Sequence, residues 1–111
     1  MNRTLSLTTT FNSIHAHGNL PSGAHGHRFI VRATVEVGSV VPPLRENLDS
    51  IRAELHERSI MMMLPAVDQS ALGLAAWAFE RLSGPLPKLE RVTVYEDDEW
   101  GESGTVTRTV R

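Results

Sequence analysis

Cysteine is absent from this chain of 111 residues, which excludes disulfides and cysteine-ligated zinc. No stretch approaches the roughly 18 apolar residues of a membrane-spanning helix, and the segment Met1–Thr4 lacks the apolar region of a signal peptide. The formal net charge is −2, with no basic stripe, and this argues against nucleic acid as a partner. We therefore expect a cytoplasmic protein with no membrane partner and no nucleic-acid partner.

Three histidines are spaced as metal ligands would be. His25 and His27 flank Gly26 at the entrance to a β-rich run, and side chains two residues apart on a strand point to one face. His15 ends the preceding strand-like segment and would bring a third imidazole to the same point. Three protein ligands and an open fourth position are typical of catalytic zinc, although imidazole also accepts Ni²⁺, Cu²⁺ and Fe²⁺. The alternative is that His25 and His27 are ordinary polar residues at a strand entrance.

Hydrophobic periodicity indicates one α+β domain spanning residues 1–111. Two strands come first, two helices follow, and two strands close the chain. This β-β-α-α-β-β order predicts an antiparallel four-stranded sheet with two helices on one face. The predicted strands are 4–16, 28–37, 91–95 and 105–110, and the helices begin at the candidate N-caps Asn47 and Ser70, the second ending at Gly84-Pro85.

The histidine pattern, Phe11-x-x-x-His15 followed by His25-Gly26-His27, resembles the 6-pyruvoyltetrahydropterin and 6-carboxytetrahydropterin synthase family. The likeness extends from about Leu5 to Val110. Leu74-Ala75-Ala76-Trp77 is similar to the family's second-helix motif, and Val92-x-Val94-x-Glu96 is similar to the strand that ends in its pterin-anchoring glutamate. The histidine triplet is the most specific part of this resemblance.

The resemblance implies both an architecture and a site. It implies the family's tunnelling fold, with zinc (Zn2+) held by His15, His25 and His27, and with Glu96 as a substrate-binding residue. Without the resemblance, Glu96 would be interpreted as a plain acid at a strand end. Family members assemble subunit sheets into a barrel, so the resemblance also implies a homo-oligomer, trimer or hexamer, with sites at subunit interfaces.

The residues that move protons in the family are missing here. The family carries a cysteine four residues before the His-Gly-His motif, where this chain has Pro21. Its Asp-His pair after the first helix corresponds to the stretch Ile60–Leu64, whose Met61–Met63 thioethers cannot transfer protons at neutral pH. Its Pro-Thr-x-Glu motif is replaced by Gln69-Ser70-Ala71-Leu72, in which Ser70 keeps a hydroxyl for substrate binding. We therefore expect altered chemistry.

Three residues are candidates for the lost catalytic base. His17 follows His15 by two residues and titrates near neutrality, but it is also typical of a solvated loop. Asp68 precedes the second helix, where a capping role is the alternative. Asp97 adjoins Glu96 within an acidic stretch that is otherwise typical of an exposed hairpin tip.

These features favour a zinc-dependent lyase or cyclase with a small-molecule substrate. The predicted reaction is condensation, cyclisation or elimination on a small carbonyl or sugar-phosphate-derived compound that bears an amine or N-heterocycle. Two alternatives stay open: genuine 6-pyruvoyl- or 6-carboxytetrahydropterin synthesis, and a catalytically silent heterocycle-binding or structural subunit.

Overall fold

Two long strands, β1 (Thr4–Ala16) and β2 (Ala24–Glu36), form the first half of the fold. A computed structural model describes residues 3–16, 24–64, 67–97 and 101–109, and the side chains of all of these except 14–16, 24–27, 61 and 62. The strands pair antiparallel along their whole length, from Thr4 opposite Glu36 to Ala16 opposite Ala24. Threonine and other β-branched residues are frequent in both, and they favour extended backbone.

A five-stranded mixed sheet replaces the predicted four-stranded antiparallel one. Its order is β3-β1-β2-β4-β5, in which β3 runs parallel to β1 and the other pairs are antiparallel. The α+β class and the two long helices are confirmed. The further elements are α1 (Leu44–Leu55), β3 (Arg58–Ser59), α2 (Ile60–Met63), α3 (Ala71–Ser83), β4 (Leu89–Glu96) and β5 (Ser103–Thr107).

The additional strand β3 arises from a sharp turn after α1. Glu57 adopts a positive φ of 59° and its N–H donates to the Asn12 carbonyl at 2.6 Å. The Ser13 hydroxyl then donates to the Arg58 carbonyl. These contacts join residues more than forty positions apart in the chain, so no local pattern in the sequence indicates them.

Both long helices pack against one face of the sheet, which we call the inner face. Phe11 and Phe29 stack there with their ring centroids 5.2 Å apart. Burying a large apolar side chain contributes about 1.5–3 kcal/mol, so the many buried residues of this layer stabilise the fold substantially. No helix in the described ranges is long and apolar enough to cross a membrane. The helix residues of the core are Leu44, Leu48, Ile51 and Leu55 of α1 and Ala71, Leu74, Ala75, Ala78 and Leu82 of α3.

The opposite face of the sheet, here the outer face, is polar. Side chains alternate along each strand, so the neighbours of core residues point away from the helices. One row crosses the sheet from Thr8 to Arg32, Thr93 and Thr105, each opposite the next. Hydroxyl groups also pair across strands on this face, as Ser6 Oγ and Thr34 Oγ1 do at 2.7 Å.

The N-cap of the first helix lies four residues before Asn47, the predicted cap. Pro43 occupies the N-cap position and provides no side-chain cap. Proline is tolerated where a helix begins because the first N–H groups lack intrahelical partners. The Asn47 amide instead donates to the Pro43 carbonyl at 2.7 Å. The second helix matches its prediction, since Ser70 is the N-cap and the last helical residue precedes Gly84.

Gly104 allows the C-terminal strand to approach α3 closely, and this contact generates a prediction. A Cβ atom at Gly104 would lie 2.8 Å from the Ala71 carbonyl carbon and closer still to the Leu72 backbone. We expect Gly104→Ala to lower the free energy of unfolding by about 1–3 kcal/mol, as overpacking does. Urea titration followed by circular dichroism measures the effect.

Gly84→Ala is the matched control. A Cβ atom there meets nothing within 4 Å, and Gly84 has helical dihedral angles of φ −60° and ψ −61°. The lower backbone entropy of alanine in the unfolded chain favours folding, and the restriction on a Cβ atom before Pro85 opposes it, so we expect stability to change by less than about 1 kcal/mol. Equal losses of unfolding free energy in both variants would show that the close approach of β5 to α3 does not prevent a larger residue at position 104.

Candidate functional site

The register of β1 and β2 brings the three predicted metal ligands to one end of the sheet. His15 is paired with His25, and Ser13 is paired with His27. Paired residues and residues two apart on a strand lie on the same face, so all three histidines share a face. It is the inner face, because Phe11 and Phe29 continue the same alternation into the core.

The side chains of His15, His25 and His27 lie outside the described ones, so the zinc site stays a prediction. Among the side chains that the structure describes, no group of three or more His, Asp or Glu residues is placed to hold a metal ion. The backbone register and the donor chemistry both fit zinc. Three neutral imidazoles would be an adequate ligand set for zinc and would leave a fourth position open.

Glu96 provides a buried carboxylate at the same end of the inner face. It ends β4 opposite Phe29, which is two residues from His27, and only 4% of its surface is exposed. Its backbone N–H donates to the Glu102 carbonyl at 2.8 Å. Burial of a carboxylate is costly unless it is paired or hydrogen-bonded, which makes Glu96 a candidate functional residue. The predicted anchor and the predicted metal ligands therefore occupy neighbouring register positions.

The N-terminus of α3 lies at this end of the sheet, and Ser70 and Asp68 form hydrogen bonds that cap it. The Ser70 hydroxyl accepts from the Gly73 N–H at 3.0 Å and donates to Asp68 Oδ2 at 2.9 Å. Asp68 Oδ1 accepts from the Ser70 N–H at 3.1 Å. These bonds are those of a helix cap and its support. The catalytic role of Asp68 and the substrate-binding role of Ser70 stay predictions.

Glu102 is a structural residue of this region that sequence reasoning missed. Its Oε1 accepts from the Ala71 N–H at 2.7 Å, while its carbonyl accepts from Glu96. A carboxylate at a helix N-terminus also interacts favourably with the helix dipole. The residue joins the hairpin between β4 and β5 to α3, a contact across 31 positions with no local signal. Gln69, which is buried beside the cap, was likewise not selected.

Comparison with solved structures decides the fold family. A Caenorhabditis elegans 6-pyruvoyl tetrahydropterin synthase matches with a TM-score of 0.78 and 16% identity, over 98% of this chain and 97% of that one. A Plasmodium falciparum 6-pyruvoyl tetrahydropterin synthase matches with a TM-score of 0.69 and 13% identity, over 98% and 99%. An uncharacterized Wolinella succinogenes protein matches with a TM-score of 0.74 and 14% identity, over 98% and 99%.

The chain has the fold of the 6-pyruvoyltetrahydropterin synthases. The resemblance predicted from the histidine pattern is thus confirmed at the level of fold. No protein-family model matches the sequence, and no curated protein is significantly similar to it in sequence. Sequence identities this low establish the fold alone. Any inference about the chemistry must therefore come from this chain's own residues.

Within this pterin-synthase fold, Asp97 does not accompany Glu96 into the site. Strand alternation places it on the outer face, where its carboxylate lies 3.6 Å from Arg28 Nη1 and is about half exposed. Its backbone N–H donates to the Arg28 carbonyl at 2.9 Å. His17 lies outside the described residues. Catalytic roles for Asp97 and His17 stay predictions, and the geometry brings Asp97 to the opposite side of the sheet from Glu96.

The methionine run occupies the short helix α2, beside β1 in the pterin-synthase fold. Met63 is exposed at 36%, and its Sδ lies 3.9 Å from Arg58 Nη1. The side chains of Met61 and Met62 lie outside the described ones. Ile60 in the same turn is fully buried. The described part of the run therefore combines core packing with a surface contact.

The cap at Ser70 generates a stability prediction. Ser70→Ala removes the acceptor of the Gly73 N–H and the donor to Asp68, so we expect the free energy of unfolding to fall by about 1 kcal/mol. Ser50→Ala, on the exposed side of α1, is the control and should change it by less than about 0.5 kcal/mol. Chemical denaturation measures both. An unaffected Ser70→Ala variant would mean that the hydroxyl is not needed as a cap.

Proposed function

We propose that this chain is a zinc-dependent, pterin-synthase-like enzyme with altered chemistry. Its reaction is a condensation, cyclisation or elimination on a small carbonyl or sugar-phosphate-derived substrate that bears an amine or N-heterocycle. The observation that carries the proposal is the register that brings His15, His25 and His27 to the same face and end of the sheet as buried Glu96. The fold shared with named pterin synthases supports it.

In this proposal the chain's own residues bind and orient the substrate. His15, His25 and His27 would hold the metal, and zinc there supplies Lewis acidity that polarises a substrate carbonyl or hydroxyl oxygen. The Glu96 carboxylate accepts hydrogen bonds from N–H groups of the heterocycle. Bonds to an ionised acceptor are about twice as strong as neutral ones, and burial strengthens them further. Glu96 thus fixes the orientation of the reacting carbon.

Proton transfer is where the proposed chemistry departs from the pterin synthases. Asp68 and Ser70 support a helix cap, and Asp97 lies on the outer face. His17 is the proposed base, because it follows the proposed ligand His15 by two residues. A positioned acid or base typically contributes about 10²–10⁴-fold in rate. A reaction that needs little enzymic base, such as condensation of an amine with an aldehyde followed by ring closure, suits this residue set.

Two other functions have support in specific observations. The described candidates for proton transfer are engaged in structural contacts, which favours a catalytically silent protein that binds a heterocycle. The similarity to named synthases favours genuine 6-pyruvoyltetrahydropterin synthesis. Efficient conversion of dihydroneopterin triphosphate would favour genuine 6-pyruvoyltetrahydropterin synthesis. Tight pterin binding with no conversion of any co-substrate would favour the catalytically silent binding protein.

We further propose a cytoplasmic homo-oligomer, a trimer or hexamer, with sites at subunit interfaces. In the described part of the chain, β5 is an edge strand of the sheet. At the other side, Arg45 and Arg52 donate to the Thr8 and Thr10 carbonyls and cover part of the edge of β1. Open strand edges favour pairing with another chain, so assembly would protect them.

Metal content tests the histidine site. We expect about one zinc per chain in tag-free protein, and its loss in the His25→Ala/His27→Ala double variant, because one remaining imidazole cannot hold the ion. Elemental analysis after dialysis measures zinc, and circular dichroism reports whether the variant is folded. His56→Gln is the control, since the His56 ring accepts from the Asn12 N–H at 3.1 Å and belongs to the α1 terminus. Wild-type protein that retains no added zinc would contradict the proposal.

Pterin binding tests the role of Glu96. We expect Glu96→Gln to weaken binding of pterin at least about tenfold, since a hydrogen bond to a charged group contributes about 1.5–3 kcal/mol. Quenching of pterin fluorescence measures the dissociation constant.

Asp97→Asn is the matched control for Glu96→Gln. It removes one carboxylate charge at the adjoining residue, on the outer face and beside Arg28. We expect its affinity for pterin to stay within about twofold of wild type. Equal weakening by both substitutions would mean that net charge, rather than the Glu96 anchor, governs binding.

A further inference from the structure

A polar groove on the outer face carries two arginines with no assigned role. Its volume is about 330 Å³, and it is lined by Arg32, Arg91, Thr93, Tyr95 and Thr105. The proposed histidine and Glu96 site lies on the inner face, so the sheet separates the two. All the lining residues belong to a single chain, and the groove therefore exists without any assembly of subunits.

The strand register explains why both arginines line the same groove. Arg32 of β2 lies opposite Thr93 of β4, and Arg91 precedes Thr93 by two residues on the same face. The two arginines are thus diagonal neighbours, with Cα atoms roughly 7–8 Å apart in a regular sheet. Side chains as long as arginine reach across that distance. Both can bind one small ligand above Thr93.

The charges of these arginines are not neutralised within the described part of the chain. Arg28, Arg45 and Arg81 form ion pairs with Asp97, Asp49 and Glu54, whereas the side chains of Arg32 and Arg91 make no ion pair or hydrogen bond in the described part of the chain. Glu90 adjoins Arg91 in the chain, and Glu36 and Asp97 lie at opposite ends of the outer face. In the described part of the chain, none of these three carboxylates forms an ion pair with Arg32 or Arg91. Two like charges held close together repel, and a bound anion would relieve that repulsion.

The remaining lining groups are suited to an oxyanion. Thr93 Oγ1 and Thr105 Oγ1 lie 2.9 Å apart, and each hydroxyl can donate as well as accept. Tyr95 is 38% exposed and provides an aromatic surface beside the hydroxyls. The planar guanidinium group matches two oxygens of a phosphate at once. This combination of groups suits phosphate better than a spherical anion such as chloride.

We infer that the groove lined by Arg32, Arg91, Thr93 and Thr105 is a binding site for phosphate, either as the free ion or as the phosphate group of a small monoester. A volume of about 330 Å³ accommodates such a monoester. The inference does not rest on the proposed function. It uses different residues, on the other face of the sheet.

Calorimetric titration of the full chain with sodium phosphate tests the site, against sodium chloride at equal ionic strength. We expect saturable binding of phosphate only. Each of Arg32→Gln and Arg91→Gln should weaken it at least about tenfold, the effect of losing a charge-assisted bidentate contact. Arg28→Gln is the control, since Arg28 lies on the same face but is paired with Asp97, and it should change affinity less than about twofold.

Further arms keep the outcome clear. Glycerol 3-phosphate is titrated in parallel: tighter binding than phosphate identifies a monoester as the ligand, and weaker binding identifies the free ion. If circular dichroism shows that a glutamine variant does not fold, Arg32→Lys or Arg91→Lys replaces it. The lysine variant should bind phosphate more weakly than wild type, because lysine lacks the planar pair of N–H donors with which arginine contacts two phosphate oxygens. The His25→Ala/His27→Ala variant should bind phosphate as wild type does. Absence of saturable binding, or equal weakening by Arg28→Gln, would overturn the inference.

Discussion

The antiparallel register of β1 and β2 is the constraint on which the rest of the structure depends. Because side chains alternate with a period of two, a slip of one residue would exchange the two faces of β1. Phe11 would leave the core, and His15 would no longer share a face with His25. The stacked pair Phe11–Phe29 lies only a few residues from the histidines and holds this register in place. Core packing and the candidate site therefore depend on the same alignment.

The sheet also keeps two kinds of chemistry apart. Its inner face ends in buried Glu96 and the histidine positions, close to the capped N-terminus of α3. Its outer face carries hydroxyl groups and the arginines Arg32 and Arg91. A carboxylate on one face cannot form a direct ion pair with guanidinium groups on the other face of a packed sheet. Each side thus keeps a charge of its own, which is a condition for binding ligands of opposite character.

Local patterns were sufficient for much of the architecture. The β1 boundaries and the cap at Ser70 follow from side-chain types and from periodicity over a few residues, and both agree with the structure. The predicted start of α1 was wrong because Pro43 can occupy the N-cap position although its side chain cannot accept a capping hydrogen bond. The strand β3 was missed because it depends on the distant residues Asn12 and Ser13.

The same limit applies to the candidate site. Glu96 was selected through a family resemblance, and alternation then explains why it is buried while Asp97 is exposed. The contact of Glu102 with Ala71 depends on how the β4–β5 hairpin packs against α3, and no local pattern in the sequence indicates it. Composition suggested no basic stripe, yet the pairing of β2 with β4 places Arg32 and Arg91 together. Such placements need the register, which a single sequence does not contain.

The bond from the Ala71 N–H to Glu102 has a consequence for the order of folding. One of the first N–H groups of α3 is satisfied by a residue that enters the structure only when the hairpin of β4 and β5 has formed. Before that docking, the first turn of α3 has Ser70 but lacks this second acceptor. The helix and the hairpin therefore belong to one cooperative unit, which should open and close together in hydrogen exchange.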